Sequence, residues 1–205
     1  MYLNKKYNRI LSIGLVAILT TGCATTGYKE PKTGKIARVR LATIDHTEGT
    51  FMNGGNNVKI RGYSTPDCGG EYKWTSLRNG PLVGSATKRL DMPLWNYHKN
   101  AAKEFFVPTS EPLLVMFTML ETERSPSNIT TTYCGVLVDT DLEANKDYEF
   151  VFAQLSKNTC KVDMYGFKQA EDNFSKEKIK SFNNSMSSDR PGCMSAFTKE
   201  RGFFD

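Results

Sequence analysis

Chemistry-bearing motifs are scarce in this chain of 205 residues. It holds two histidines, His46 and His98, far apart and without a shared pattern. No His-Glu-x-x-His pair, Gly-x-Ser-x-Gly elbow or phosphate-cradling glycine loop occurs, so the familiar motif-bearing hydrolases and nucleotide-binding folds are not indicated. Ser64, Asp45, His46 and His98 supply the residue types of a triad, but no spacing ties them together. The chain is therefore expected to be non-catalytic. The apolar stretch at 10–19 is about half of the roughly 20 residues that span a bilayer, so it reads as a leader rather than a permanent helix. A concentrated basic face is also missing, and short patches such as 29–35 read as a solvated tether, so nucleic acid is not an expected partner.

The leader itself is informative. Lys5, Lys6 and Arg9 precede the apolar stretch, which runs into Leu19-Thr20-Thr21-Gly22-Cys23. This ending resembles the lipobox of bacterial lipoproteins, in which the cysteine is lipidated and becomes the first mature residue. Gly22 and Cys23 fit the pattern, whereas Thr20 stands where leucine is usual. The resemblance implies a signal peptide at 1–22, acylation of Cys23 with palmitate-type chains, and a tether over 23–35. Each buried methylene contributes about 0.8 kcal/mol, so two or three acyl chains give stable attachment. By similarity to lipoprotein sorting in diderm bacteria, Ala24 implies the outer membrane, facing the periplasm. Cleavage near Ala24 or Thr25, releasing a soluble periplasmic protein, is the alternative. Loss of the three leader cations lowers the formal charge from +5 to +2.

Of five cysteines, Cys23 belongs to the anchor, and Cys68, Cys134, Cys160 and Cys193 remain. An even number in an exported chain points to two disulfides. Three connectivities are open; Cys134–Cys160 is favoured because it joins neighbouring predicted strands, which leaves Cys68–Cys193. Zinc is the competing reading, but zinc ligands usually come in close pairs, which these cysteines do not form. No metal or cofactor is expected.

Residues 36–205 read as one β-sandwich domain. Residues 36–44 alternate, with Val39 and Leu41 on one face, and the glycine-asparagine turn at 53–57 leads into 58–60. Residues 62–100 read as long loops with short strands. Residues 103–108 read as a strand, and the apolar run 112–120 suits one buried on both faces, with a short buried helix the alternative that periodicity leaves open. Residues 130–138, 147–154 and 159–165 alternate in turn, which predicts three strands paired antiparallel. From about 170 the chain turns polar, and Phe174, Ile179 and Phe182 suggest a weak amphipathic helix in a helical or irregular tail. The parts from Glu111 onward resemble small uncharacterised proteobacterial lipoproteins, on an apolar strand, Tyr133-Cys134, the acidic turn at Asp139 and Asp141, Tyr148 and Cys160. That likeness covers roughly a third of the chain and carries no catalytic residue with it.

Two candidate sites remain. The acidic series Asp139, Asp141, Glu143, Asn145, Asp147 mimics a calcium loop, but Ala144 and Phe150 stand where glycine and the bidentate glutamate belong. A solvated turn is expected there. Trp74, Trp95 and Tyr97, near Tyr63, Tyr72 and His98, could stack on a sugar or anchor a protein. The competing reading has them plugging the sandwich. The expected function is that of a lipid-anchored interaction or accessory subunit of an envelope assembly, with a protein partner. A glycan or small-ligand module using the three aromatics is the alternative.

Overall fold

A computed structural model describes residues 27–44, 57–63, 71–78, 89–94, 96–97, 101–125, 128–156, 159–170 and 173–183. Among them nine strands occur and no helix: β1 (Ile36–Ile44), β2 (Asn57–Tyr63), β3 (Glu71–Arg78), β4 (Ala102–Pro108), β5 (Leu113–Ser125), β6 (Asn128–Thr140), β7 (Asp147–Ser156), β8 (Thr159–Ala170) and β9 (Asn173–Asn183). They build a five-stranded sheet, β4-β1-β7-β8-β9, and a four-stranded sheet, β3-β2-β5-β6. The result is the expected β-sandwich, and the alternating segments 36–44, 103–108, 147–154 and 159–165 all lie within strands.

The core lies between the sheets. Val39 and Leu41 of β1, Phe150 and Phe152 of β7 and Val162 of β8 face Val58, Ile60, Phe117 and Val136 of the other sheet, all essentially inaccessible. Phe117 and Phe152 stack across the gap with centroids 6.1 Å apart. Each such fully buried side chain contributes about 1.5–3 kcal/mol. On β5, Leu113, Val115 and Phe117 join this core, and Leu114 and Met116 on the opposite face are buried as well. Residues 113–119 of that run thus form a strand buried on both faces.

Three expectations need correction. The three successive strands do not pair in series: β7 and β8 do, but β6 belongs to the other sheet. The six residues 141–146 between β6 and β7 reach about 20 Å when extended, enough to cross the roughly 10 Å between packed sheets. Cys134–Cys160 accordingly bridges the two sheets, with Cα atoms 6.0 Å apart, rather than two neighbours in one. Nor is the sandwich wholly antiparallel, because β1 and β7 pair parallel in its middle.

The third correction concerns the tail. Residues 173–183 form β9, an edge strand paired antiparallel with β8 from Asn173–Ala170 to Asn183–Lys161. The apolar positions 174, 179 and 182 fit a helical period poorly, and β8 offers backbone partners along the whole segment. Tertiary pairing overrides the weak helical signal. Lys176, Lys178 and Lys180 suit an edge, since charge there discourages pairing with other chains. Within 62–100 the described residues hold β3, eight residues long; 64–70, 79–88, 95 and 98–100 lie outside the described residues.

Residues 27–35 touch the sandwich near both ends. The Tyr28 hydroxyl donates to the Phe106 carbonyl at 2.7 Å, and its ring lies 4.5 Å from that of Trp74. Thr109 then donates its N–H to the Lys35 carbonyl at 3.0 Å.

Candidate functional site

Strand pairing sets one row across the outer face of the five-stranded sheet. Arg40 lies opposite Glu104 on β4 and Glu149 on β7, Glu149 opposite Tyr165 on β8, and Tyr165 opposite Lys178 on β9. In β1, β4 and β7 the charged residues occupy the positions between those that feed the core. Alternation therefore places them together on the far side of the sheet.

Arg40, Glu104 and Glu149 are all fully buried. Arg40 donates from Nε and Nη2 to Glu104 Oε1 at 3.0 and 2.8 Å, and from Nη1 to Glu149 Oε1 at 2.9 Å. The guanidinium lies 5.5 Å from the Phe167 ring centroid. Lys176 supplies the second cation, 2.5 Å from Glu149 Oε2 and over the Tyr165 ring at 4.4 Å. Two arginine-type and lysine-type charges thus face two carboxylates, and the cluster is neutral. Such a cluster is stable only if every charge is paired and its remaining hydrogen bonds are met.

A segment over the sheet meets them. Arg40 Nη2 donates to the carbonyls of Met92 and Pro93, both at 2.9 Å, and Nη1 reaches that of Leu94 at 3.5 Å. Glu104 Oε2 accepts the N–H groups of Leu90 and Met92. Arg38 adds a bond to the Leu90 carbonyl at 3.1 Å while gripping Asp147 with two others. The strap, described at 89–94 and 96–97, is therefore pinned through the backbone of Leu90 and of Met92 to Leu94. To turn three successive carbonyls toward Arg40, it places Asp91 and Leu94 at positive φ, 56° for both. A leucine in that region costs of order 1–3 kcal/mol, sustained by the surrounding bonds. Met92 points in and is buried, whereas Leu94 is 48% exposed.

Tyr97 closes the strap. It packs on the small patch of Ala42, Ala102 and Val151, and its hydroxyl hydrogen-bonds Glu149. Burial, followed by the Glu149 charge, pushes its pKa far above the ordinary phenol value. It stays neutral and acts as a donor. Further along the face, burial would raise the Asp163 pKa, but hydrogen bonds from Lys161, Lys178 and Ser181 outweigh it and bring it down to about 2.

Of the predicted aromatic site, Trp74 and Tyr97 do not share a surface. Trp74 of β3 is buried in the core, 5.6 Å from Phe105 and 4.5 Å from Tyr28, on the opposite side of the five-stranded sheet from Tyr97. Tyr63 is also buried. Trp95, His98, His46, Ser64, Asp45, Cys23, Cys68 and Cys193 lie outside the described residues. In the acidic series, Asp147 holds Arg38 and Glu143 pairs with Lys146 at 2.6 Å. Among the described residues no three acidic, histidine or cysteine side chains converge as a metal site.

Arg40, Glu104 and Glu149 were not singled out by motif. Their signal is a charge at the centre of an otherwise core-forming strand, as in Arg38-Val39-Arg40-Leu41 and Tyr148-Glu149-Phe150. Only the sheet order shows that three such charges meet. The chain matches no family model, no curated protein and no solved structure.

Proposed function

We propose that this chain is a lipid-anchored, non-catalytic interaction subunit of an envelope assembly, held to the periplasmic face of the outer membrane through Cys23. The partner docks on the strap 89–97. The observation that carries this reading is the buried Arg40–Glu104–Glu149 cluster, whose hydrogen bonds fix a loop backbone and leave Leu94 facing outward. A rigid sheet presenting a constrained loop is the usual construction of a binding surface. Backbone strain at an exposed apolar residue fits recognition, where a fixed conformation lowers the entropy lost on binding. The inter-sheet disulfide fits an oxidising compartment.

The test is purification of the full chain from its native envelope in mild detergent. A stoichiometric protein partner is expected with the wild type and not with Leu94→Asp, whose exposed position leaves the fold intact. Equal recovery with both would reject the strap as the docking surface. Continued lipid labelling of Cys23→Ala would reject the anchor.

The glycan or small-ligand alternative now rests on the strap residues, because Tyr97 belongs to the strap and Trp74 lies across the sheet from it. Ligand binding lost with Trp95→Ala and preserved with Trp74→Phe would favour it.

A further inference from the structure

Where the fold begins relative to Cys23 fixes how the sandwich can sit. Tyr28 is already fastened, by its bond to Phe106 and its contact with Trp74. It follows Cys23 by five positions, a span of at most roughly 18 Å. The sandwich is therefore held close to whatever holds Cys23, by the end at which Tyr28 is attached.

Register shows what else lies at that end. A continuous row of partners runs Phe105–Val39–Tyr148–Gly166–Glu177 across all five strands. The starts of β1, β7 and β9 and the ends of β4 and β8 lie just beyond it. At about 4.8 Å per strand, the row is roughly 19 Å wide. Tyr28 sits at one end of the row, and the β8–β9 ribbon at the other. Phe174, near the start of β9, and Ile179, further along it, are 43% and 55% exposed and line one open groove of about 710 Å³ together with Phe167, Gly166 and Ile36 at the start of β1. Lys168 flanks them, paired with Glu177.

We propose that the groove-lining part of this ribbon rests on the phospholipid surface that holds the anchor, with Phe174 and Ile179 entering the headgroup boundary. The proposal rests on the lipid-anchor reading above. Exposed aromatic and aliphatic side chains beside lysines have the composition of interfacial segments. The nearby lysines are committed: Lys168 to Glu177, Lys176 to Glu149 and Lys178 to Asp163. The contact is accordingly apolar in the main, and two side chains alone would bind lipid weakly. A tether this short raises their effective concentration at the surface to the millimolar range, about what a weak contact requires. The body then has two points of attachment, so the outer face of the five-stranded sheet keeps a fixed attitude to the membrane.

The test uses the full lipidated chain in phosphatidylethanolamine–phosphatidylglycerol vesicles, with lysine acetylation rates read by mass spectrometry. Lys168 should react about threefold more slowly in the wild type than in Phe174→Ser/Ile179→Ser, as expected for a contact mostly occupied at that effective concentration. Lys59, on the other sheet, should react equally in both. Retention of the Cys134–Cys160 bridge checks the fold of the variant, and Ile179→Ser alone serves if the double change disturbs it. Equal Lys168 rates in a chain that floats with the vesicles would overturn the lipid contact and leave the anchor standing. A chain that fails to float would overturn both. Slowing in native envelope membranes but not in pure lipid would overturn the lipid contact in favour of a protein neighbour.

Discussion

Arg40 and Glu104 face one another across β1 and β4 with no exposure of either side chain, and each also binds the backbone of the strap. The ion pair is thus a fastening, because the two residues hold each other and the strap at once. Glu104→Ala should remove about 3–5 kcal/mol of stability, the usual result of leaving one buried charge without its partner. Urea unfolding measures this. Limited trypsin digestion should cut sooner at Arg89, the first residue of the released strap. A loss under about 1 kcal/mol would mean that the charge is compensated elsewhere.

Substitution of both Cys134 and Cys160 by alanine should cost about 3–4 kcal/mol by the chain-entropy relation, given their separation of 26 residues. The same variant should keep its strand signal in circular dichroism, since Phe117, Phe152 and Val136 still join the sheets. Reversible unfolding with and without the bridge gives the difference directly.

Asp163 supplies an acid-dependent contribution. Its pKa falls from 3.8 to about 2 because the bonds from Lys161, Lys178 and Ser181 exceed the burial effect. A carboxylate lowered in the folded state stabilises above its unfolded pKa and loses that contribution as pH falls through the folded value. Stability should therefore drop between about pH 4 and pH 2, and it should drop less steeply in Asp163→Asn. Parallel curves for the two proteins would contradict the assignment.

Trp74→Ala should destabilise by about 3–5 kcal/mol, as for other large core aromatics. Trp74→Phe should be far milder, because the contacts to Tyr28 and Phe105 are largely apolar. Thermal unfolding separates the two. A Trp74→Ala protein with unchanged melting would place the indole outside the core.

Strands that carry their own period were readable in advance. Val39 and Leu41, or Tyr148, Phe150 and Phe152, announce a buried face without help from any other segment. So did the pairing of Cys134 with Cys160, although their strands proved to lie in different sheets. The elements that escaped depend on neighbours. β9 has a weak pattern of its own and is a strand because β8 is beside it. The strap's shape is dictated by Arg40 and Glu104, and Trp74 and Tyr97 are near in sequence but separated by a sheet. No local signal distinguishes a charge bound for solvent from one that will meet its counterion across a strand.

The parallel pairing of β1 with β7 also sets a timetable. Arg40 and Glu149 are 109 positions apart, so the middle of the sheet cannot close until most of the chain has arrived. For a polypeptide emerging from its amino end, one side of β1 stays unsatisfied while five further strands appear. The loop-closure entropy of such distant contacts slows folding. The early half thus waits, with its apolar face open, for the segment that completes it.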